Sequence, residues 1–96
     1  MFSIVIPLYN KVHTIDRTLR SVFNQTYPHF EVIVVNDGST DDGVNFIKGK
    51  FKDDRLVIVN QVNQGVTIAR NKGAAMAKYG HIAFLDGDDT WEPKYL

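Results

Sequence analysis

The sequence contains no cysteine, which excludes disulfide bonds and thiolate metal sites. No apolar run approaches the ~20 residues that are needed to span a bilayer. Eleven basic and eleven acidic residues cancel, so no overall field draws the chain to nucleic acid. Neither common glycine-rich phosphate motif is present, GxGxxG after the first strand or GxxxxGKS/T anywhere. Any phosphate that this chain binds must therefore be neutralised in another way.

The chain alternates predicted strands and helices within one domain spanning residues 1–96. Apolar, β-branched runs predict buried strands at residues 2–8 and 30–35, a third strand at residues 56–59, and a fourth, buried strand that starts at residue 81. Helical spacing of apolar residues predicts helices at residues 12–25 and 65–79 and one that follows Ser39 or Thr40. Another helix is expected to open at Trp91. The alternation favours an α/β fold with a parallel sheet.

Several local details are predicted as well. Pro7 marks where strand pairing must loosen. Thr14 and Asn10 are alternative caps for the first helix. Ser39 or Thr40 can cap the second helix, with Asp41 and Asp42 in its first turn. The expected core positions of the third helix are Ile68, Ala69, Ala75 and Met76.

The predicted sheet is Rossmann-like, with strand order 3-2-1-4 and helices on both faces. This order makes strands one and four neighbours whose helices cover opposite faces. Ligands bind such folds at the carboxyl ends of the strands, where the order reverses. We therefore expect Tyr9, Asn10, Asp37, Asp86 and Asp88 to border one crevice.

Three carboxylates follow the fourth apolar run, at Asp86, Asp88 and Asp89. They repel one another, and a divalent cation would offset that repulsion. Hard oxygen ligands suit Mg²⁺ or Mn²⁺. An acidic turn before a helix is the structural alternative. A cation held by Asp86 and Asp88 would neutralise a diphosphate without a glycine-rich loop.

A nucleotide also needs a surface and acceptors for its base. Tyr9 can stack on the base or contact it edge-on, and Asp37 can accept hydrogen bonds from it. Gly38 would let the backbone approach the ligand, and Arg70 can add positive charge. Each has a structural alternative, as a strand-end aromatic, a turn residue or a solvated helix residue. The remaining predicted nucleotide-binding residues are Pro7, Asn10 and Gly87.

Four motifs occur in order: IPLYN, VVNDGSTD, NxGxxxARNxGxxxA, and AFLDGDD followed by W-x-P. Together they resemble family 2 glycosyltransferases of the GT-A fold over essentially the whole chain. The resemblance implies inverting transfer of a sugar from a nucleotide-diphosphate donor to an acceptor hydroxyl. It implies that Tyr9 and Asp37 hold the nucleobase. Asp86 and Asp88 would form the DxD pair, with Asp88 the more direct metal ligand.

The resemblance also implies that the chain is the truncated, donor-binding half of a longer catalytic domain. The general base and the acceptor site of the family come from later segments, so no catalytic base is assigned here. A UDP-sugar is the expected donor, and a saccharide or lipid-linked compound the expected acceptor. The expected location is the cytoplasm, including the cytoplasmic face of the membrane. The fourth strand is expected to be an exposed edge that favours self-association.

Two other functions fit parts of the sequence. Asp86, Asp88 and Thr90 match the DxDxT motif of haloacid-dehalogenase-like phosphatases, with Asp86 as nucleophile and Asp88 as general acid. That motif normally follows the first strand of its domain, whereas three strand–helix units precede it here. A non-catalytic nucleotide-binding module is the second alternative.

Overall fold

The structure is a computed structural model that describes residues 1–96 and contains four strands and three helices. The strands are β1 (Phe2–Leu8), β2 (Phe30–Asp37), β3 (Leu56–Gln61) and β4 (His81–Phe84). The helices are α1 (Ile15–Phe23), α2 (Gly43–Lys50) and α3 (Val66–Met76). No helix among residues 1–96 has the length and apolar character needed to cross a bilayer.

The strands form one parallel sheet in the order β3-β2-β1-β4, as the sequence predicts. β1 is central: Val5 pairs with Ile33 of β2 and with Phe84 of β4. The interior of β1 is fully buried, which explains its continuous apolar sequence. The carboxyl ends of β1, β2 and β4 therefore lie at one edge of the sheet.

Helices cover both faces of the sheet, as predicted, because successive side chains of a strand alternate between faces. Ile4, Ile6 and Leu8 of β1 pack into the larger core with α1 and α2. Val5 faces the other way and packs with Ala69 of α3. α1 buries Ile15, Thr18, Leu19 and Val22, the stripe that its helical spacing predicts.

Pro7 lies inside β1, although proline cannot donate a backbone hydrogen bond. The carbonyl of Val5 accepts from the Leu85 N–H, so alternate residues Val5 and Pro7 direct their backbone groups toward β4. β4 ends at Phe84, opposite Val5, so its pairing with β1 stops before Pro7. Pairing does loosen at Pro7 on the β4 side, whereas β1 stays paired to β2 through Leu8.

Two helix starts differ from the sequence prediction. α1 begins at Ile15, not at residue 12, and the Thr14 hydroxyl makes no cap hydrogen bond. α2 begins at Gly43 rather than after Ser39 or Thr40. The side-chain carbonyl of Asn10 accepts from the N–H groups of Thr40 and Asp41, at 2.8 and 3.3 Å, which holds this segment as a loop.

No helix follows Trp91, contrary to the prediction. The only local backbone bond in this segment joins the Tyr95 N–H to the Glu92 carbonyl, a single turn. Its other backbone groups bond to the end of α1: the Trp91 N–H donates to Ser21 Oγ, and the Glu92 carbonyl accepts from Gln25 Nε2. Trp91 stacks on Tyr95, with ring centroids 4.6 Å apart.

The outer side of the sheet at α3 and β4 is less buried than predicted. Of the four expected core positions in α3, only Ala69 is buried, because α3 presents Ala69 and Gly73 to the sheet. Ile68 and Met76 are 44% and 45% exposed, and Ala75 is exposed too. β4 is not the buried strand that its apolar run predicts but the exposed edge strand that the truncated sheet predicts, and it leaves Phe84 48% exposed.

Gly73 allows α3 to approach the sheet closely. A methyl group on Gly73 would overlap the side chain of Val5 and lie 3.2 Å from Val35 Cγ2. We expect Gly73→Ala to lower the free energy of unfolding by about 1–3 kcal/mol through overpacking, measured by urea denaturation. The matched control is Gly49→Ala, since Gly49 is helical and has nothing within 4 Å of its added methyl group. That variant should gain roughly 0.5–1 kcal/mol, and an equal loss in both would contradict the packing argument.

Candidate functional site

One cleft of about 440 Å³ opens at the carboxyl ends of β1, β2 and β4, beside the start of α3. Its size is within the range of small-molecule sites. Nine of its twelve lining residues are polar, charged or glycine. The lining consists of Pro7, Leu8, Tyr9, Lys11, Asp37, Asn63, Gly65, Val66, Arg70, Asp86, Gly87 and Asp88.

Seven of the nine predicted nucleotide-binding residues line this cleft: Pro7, Tyr9, Asp37, Arg70, Asp86, Gly87 and Asp88. The other two, Asn10 and Gly38, lie outside its lining and hold the adjacent loops. Asn10 adopts a left-handed backbone and binds the loop before α2. Gly38, at φ +70, lets the backbone of Asn63 pass so closely that a Cβ would lie 2.7 Å from the Asn63 nitrogen.

Asp37 is buried at the end of β2, yet its carboxylate remains well satisfied. Oδ1 accepts from Gln61 Nε2 at 2.7 Å and from the Gln64 N–H at 2.8 Å, and Oδ2 accepts from the Gly65 N–H at 3.0 Å. Burial raises the pKa of Asp37, but these three hydrogen bonds outweigh it and hold the pKa below its ordinary value. An ionised carboxylate has about four acceptor positions, so one remains on Oδ2 for a ligand.

The acidic loop after β4 lies on the opposite side of the cleft. Carboxylate oxygens of Asp86, Asp88 and Asp89 lie within 4.8 Å of one another. Two cations balance them: Arg70 Nη2 lies 3.0 Å from Asp86 Oδ1, and Lys11 Nζ lies 3.2 Å from Asp88 Oδ2. These side chains are each more than a third exposed, so the ion pairs are weak and exchangeable.

The connection between β1 and α1 holds this acidic loop in place. The Thr14 hydroxyl donates to the Gly87 carbonyl at 2.9 Å, which ties the N-cap residue of α1 to the acidic loop. A Cβ on Gly87 would lie 3.3 Å from Cγ of Lys11, so the glycine leaves room for the lysine stem. Loop residues 9–14 thus determine where Asp86 and Asp88 stand.

Sequence reasoning missed five of the cleft residues: Leu8, Lys11, Asn63, Gly65 and Val66. Lys11 directly follows the YN pair that was singled out, and Asn63 and Gly65 open the NxG motif. The amide of Asn63 donates to the Asp37 carbonyl at 3.0 Å. Their position in or beside the motifs was the only available signal, since their cleft contacts depend on residues far away in sequence.

The chain matches the family model Glycosyl transferase family 2 over residues 3–96, and it belongs to this family. It is 42% identical over 92 residues to the Escherichia coli UDP-Glc:alpha-D-GlcNAc-diphosphoundecaprenol beta-1,3-glucosyltransferase WfaP, covering 95% of this chain and 36% of WfaP. Because the chain belongs to this family, we interpret the Asp86–Thr90 segment as part of a glycosyltransferase and not as a phosphatase motif.

Two solved structures show the same GT-A fold. Residues 1–349 of S. aureus TarS, in complex with UDP-GlcNAc, are 30% identical with a TM-score of 0.90, over 96% of this chain and 28% of that TarS chain. The mannosyltransferase PcManGT from Pyrobaculum calidifontis, in complex with GDP-Man and Mn²⁺, is 27% identical with a TM-score of 0.84, over 94% of this chain and 28% of PcManGT. The chain thus spans between 28% and 36% of the length of these three proteins as compared.

The hydrogen bonds around Asp37 predict that substituting this residue lowers the stability of the fold in a pH-dependent way. Asp37→Asn puts an amide N–H₂ where an acceptor is needed, and we expect it to lower the free energy of unfolding at pH 7 by about 2 kcal/mol. Because the folded pKa of Asp37 is lowered, its stabilisation is present above the unfolded pKa and is lost as the pH falls through the folded value. The two chains should therefore begin to converge in urea denaturation below about pH 4 and converge fully only below the folded pKa of Asp37.

Asp54→Asn is the matched control for this comparison, since Asp54 is exposed in the turn before β3. It should change stability by less than about 0.5 kcal/mol at either pH. A difference between wild type and Asp37→Asn that persists unchanged at low pH would contradict the role of the carboxylate.

Proposed function

We propose that this chain binds the nucleotide-diphosphate part of a sugar donor and forms the donor-binding part of a glycosyltransferase. The observation that carries the proposal is the single cleft that gathers Tyr9, Asp37 and the acidic loop at the switch point of the sheet. Such crevices are the ligand sites of open α/β sheets. The UDP-GlcNAc complex of TarS and the GDP-Man complex of PcManGT support a nucleotide-sugar donor.

The base would lie at the β1 and β2 side of the cleft. Tyr9 is 47% exposed, so its ring is free to contact a flat base. Asp37 offers its remaining acceptor position on Oδ2, and its lowered pKa keeps the carboxylate ionised. An imide or amino N–H is the group that such an acceptor binds. Uracil meets this requirement through its imide N–H, and guanine meets it too, so the UDP-sugar is proposed from the UDP-GlcNAc complex of TarS.

The residues of the acidic loop fit a divalent cation. Mg²⁺ and Mn²⁺ prefer oxygen ligands, and Mg²⁺ binds them at about 2.1 Å, so opposite ligands stand about 4 Å apart. The carboxylate oxygens lie within 4.8 Å of one another, so they need to move only slightly closer together to reach this distance. Asp88 and Asp86 would hold the ion, which supplies charge stabilisation to the departing diphosphate. Arg70 keeps a buried Nε–H without a partner and can add a hydrogen bond there.

The transfer is proposed to be inverting, with the general base and the acceptor site outside this chain. A saccharide or lipid-linked acceptor fits this role, and a lipid-linked one would bring a cytoplasmic enzyme to the membrane surface. Alone, the 96-residue chain should bind nucleotide weakly and transfer little or no sugar, because it spans so small a share of its relatives. Robust sugar transfer by the purified chain would contradict this.

The free edge of β4 is proposed to make the isolated chain self-associate. Ile82 and Phe84 are 39% and 48% exposed on an edge strand, and unpaired edges favour pairing with another strand. Phe84→Lys should therefore shift the chain toward monomer in sedimentation velocity. Val62→Lys is a control, since Val62 is 78% exposed but lies outside β4. A wild-type chain that stays monomeric at high concentration would contradict the proposal.

An NMR titration with UDP, with and without Mg²⁺, tests donor binding. Backbone resonances of Tyr9, Asp37 and Asp88 should shift, and Mg²⁺ should strengthen binding. Asp88→Asn should weaken UDP binding in Mg²⁺ by about tenfold or more, since it removes a metal ligand. Asp54→Asn is the control and should behave like wild type. Absence of shifts with UDP and with other nucleoside diphosphates would contradict the proposed function.

A further inference from the structure

Lys11 occupies the position from which it can oppose metal binding. Its Nζ lies 3.2 Å from Oδ2 of Asp88, the residue proposed as the more direct metal ligand. Its stem crosses Gly87, so the ammonium is held beside the loop rather than in free solution. A cation bound by Asp88 would therefore stand next to a positive charge, and like charges at such distances repel each other.

The net charge of the cluster also opposes binding of a metal ion by itself. Three carboxylates, Asp86, Asp88 and Asp89, face two cations, Lys11 and Arg70, which leaves one net negative charge. Adding a divalent ion alone would leave the cluster with an excess of positive charge. Adding the ion together with a doubly ionised diphosphate would restore the balance. The arrangement therefore disfavours binding of the ion alone and favours binding of the ion together with the diphosphate.

Lys11 is better suited than Arg70 to exchange partners. Arg70 projects from α3, and its planar guanidinium binds Asp86 in a directed geometry. Lys11 lies in the loop before α1 and carries a compact charge on a flexible stem. Its ammonium can therefore leave Asp88 and reach another acceptor within the same cleft.

We propose that Lys11 couples metal binding to diphosphate binding. It holds Asp88 while the cleft is empty, releases it when a divalent ion binds, and then donates to the diphosphate. This inference rests on the proposed function, since it assumes that both ligands enter this cleft. Because coupling between two ligands is reciprocal, UDP should tighten metal binding by the same factor as metal tightens UDP binding.

The test measures Mn²⁺ affinity by electron paramagnetic resonance of the free ion, without nucleotide and with saturating UDP. Wild type should bind Mn²⁺ weakly alone and about tenfold more tightly with UDP. Lys11→Met should bind Mn²⁺ alone about tenfold more tightly than wild type, and UDP should add little. Lys11→Arg keeps the charge and should resemble wild type.

Lys78→Met is the matched control, since it removes the same charge at the amino end of the sheet, where the Lys78 N–H donates to Glu31. Screening over that distance should leave its Mn²⁺ affinity unchanged. An NMR spectrum of each variant establishes that it is folded.

Two results separate this inference from the proposed function. If wild type binds UDP with Mn²⁺, and Lys11→Met shows unchanged Mn²⁺ affinity, the role of Lys11 is overturned and the proposed function stands. If wild type binds Mn²⁺ but no UDP, the proposed function is overturned and the coupling with it, whatever the lysine variant does.

Discussion

The pairing of β1 with both β2 and β4 is the constraint on which the site depends. A parallel strand between two neighbours places three carboxyl ends side by side. Tyr9 follows β1, Asp37 ends β2, and Asp86 follows β4 by two residues. A strand order without β1 beside β4 would separate the aromatic ring from the acidic loop. The burial of β1 on both faces makes its central position stable, because a largely apolar strand needs neighbours on both edges and helices on both faces.

The loop between β1 and α1 positions the two loops that border the cleft. Asn10 binds the loop before α2, whereas Lys11 and Thr14 bind the acidic loop after β4. A short stretch thus joins the two sides of the cleft. Its polar groups make these long-range contacts, and α1 begins directly after them, at Ile15 with Thr14 as its N-cap residue. The cation balance of the cleft depends on the same loop, through the pair of Lys11 with Asp88.

Most of the fold could be predicted from the sequence, since its strands and helices have strong periodicity. Errors arose where a segment had the local signals of one structure but its polar groups found partners elsewhere. The segment from Trp91 carries a helix start, yet its backbone bonds to Ser21 and Gln25. In α3, Ile68 and Met76 were expected in the core because they are apolar. The structure instead presents Ala69 and Gly73 to the sheet and leaves Ile68 and Met76 exposed.

The sequence by itself determined the strand order, the acidic loop and the family resemblance, because these follow from local patterns and ordered motifs. Only the tertiary structure decided which charges meet. Lys11 and Asp88 are 77 positions apart, and Asp37 receives hydrogen bonds from residues 24 to 28 positions away. Such contacts carry no local signal, since they exist only once the crossovers bring distant loops to one edge. The number of charged groups could be read from the sequence, whereas which of them lie close enough to pair depends on the fold.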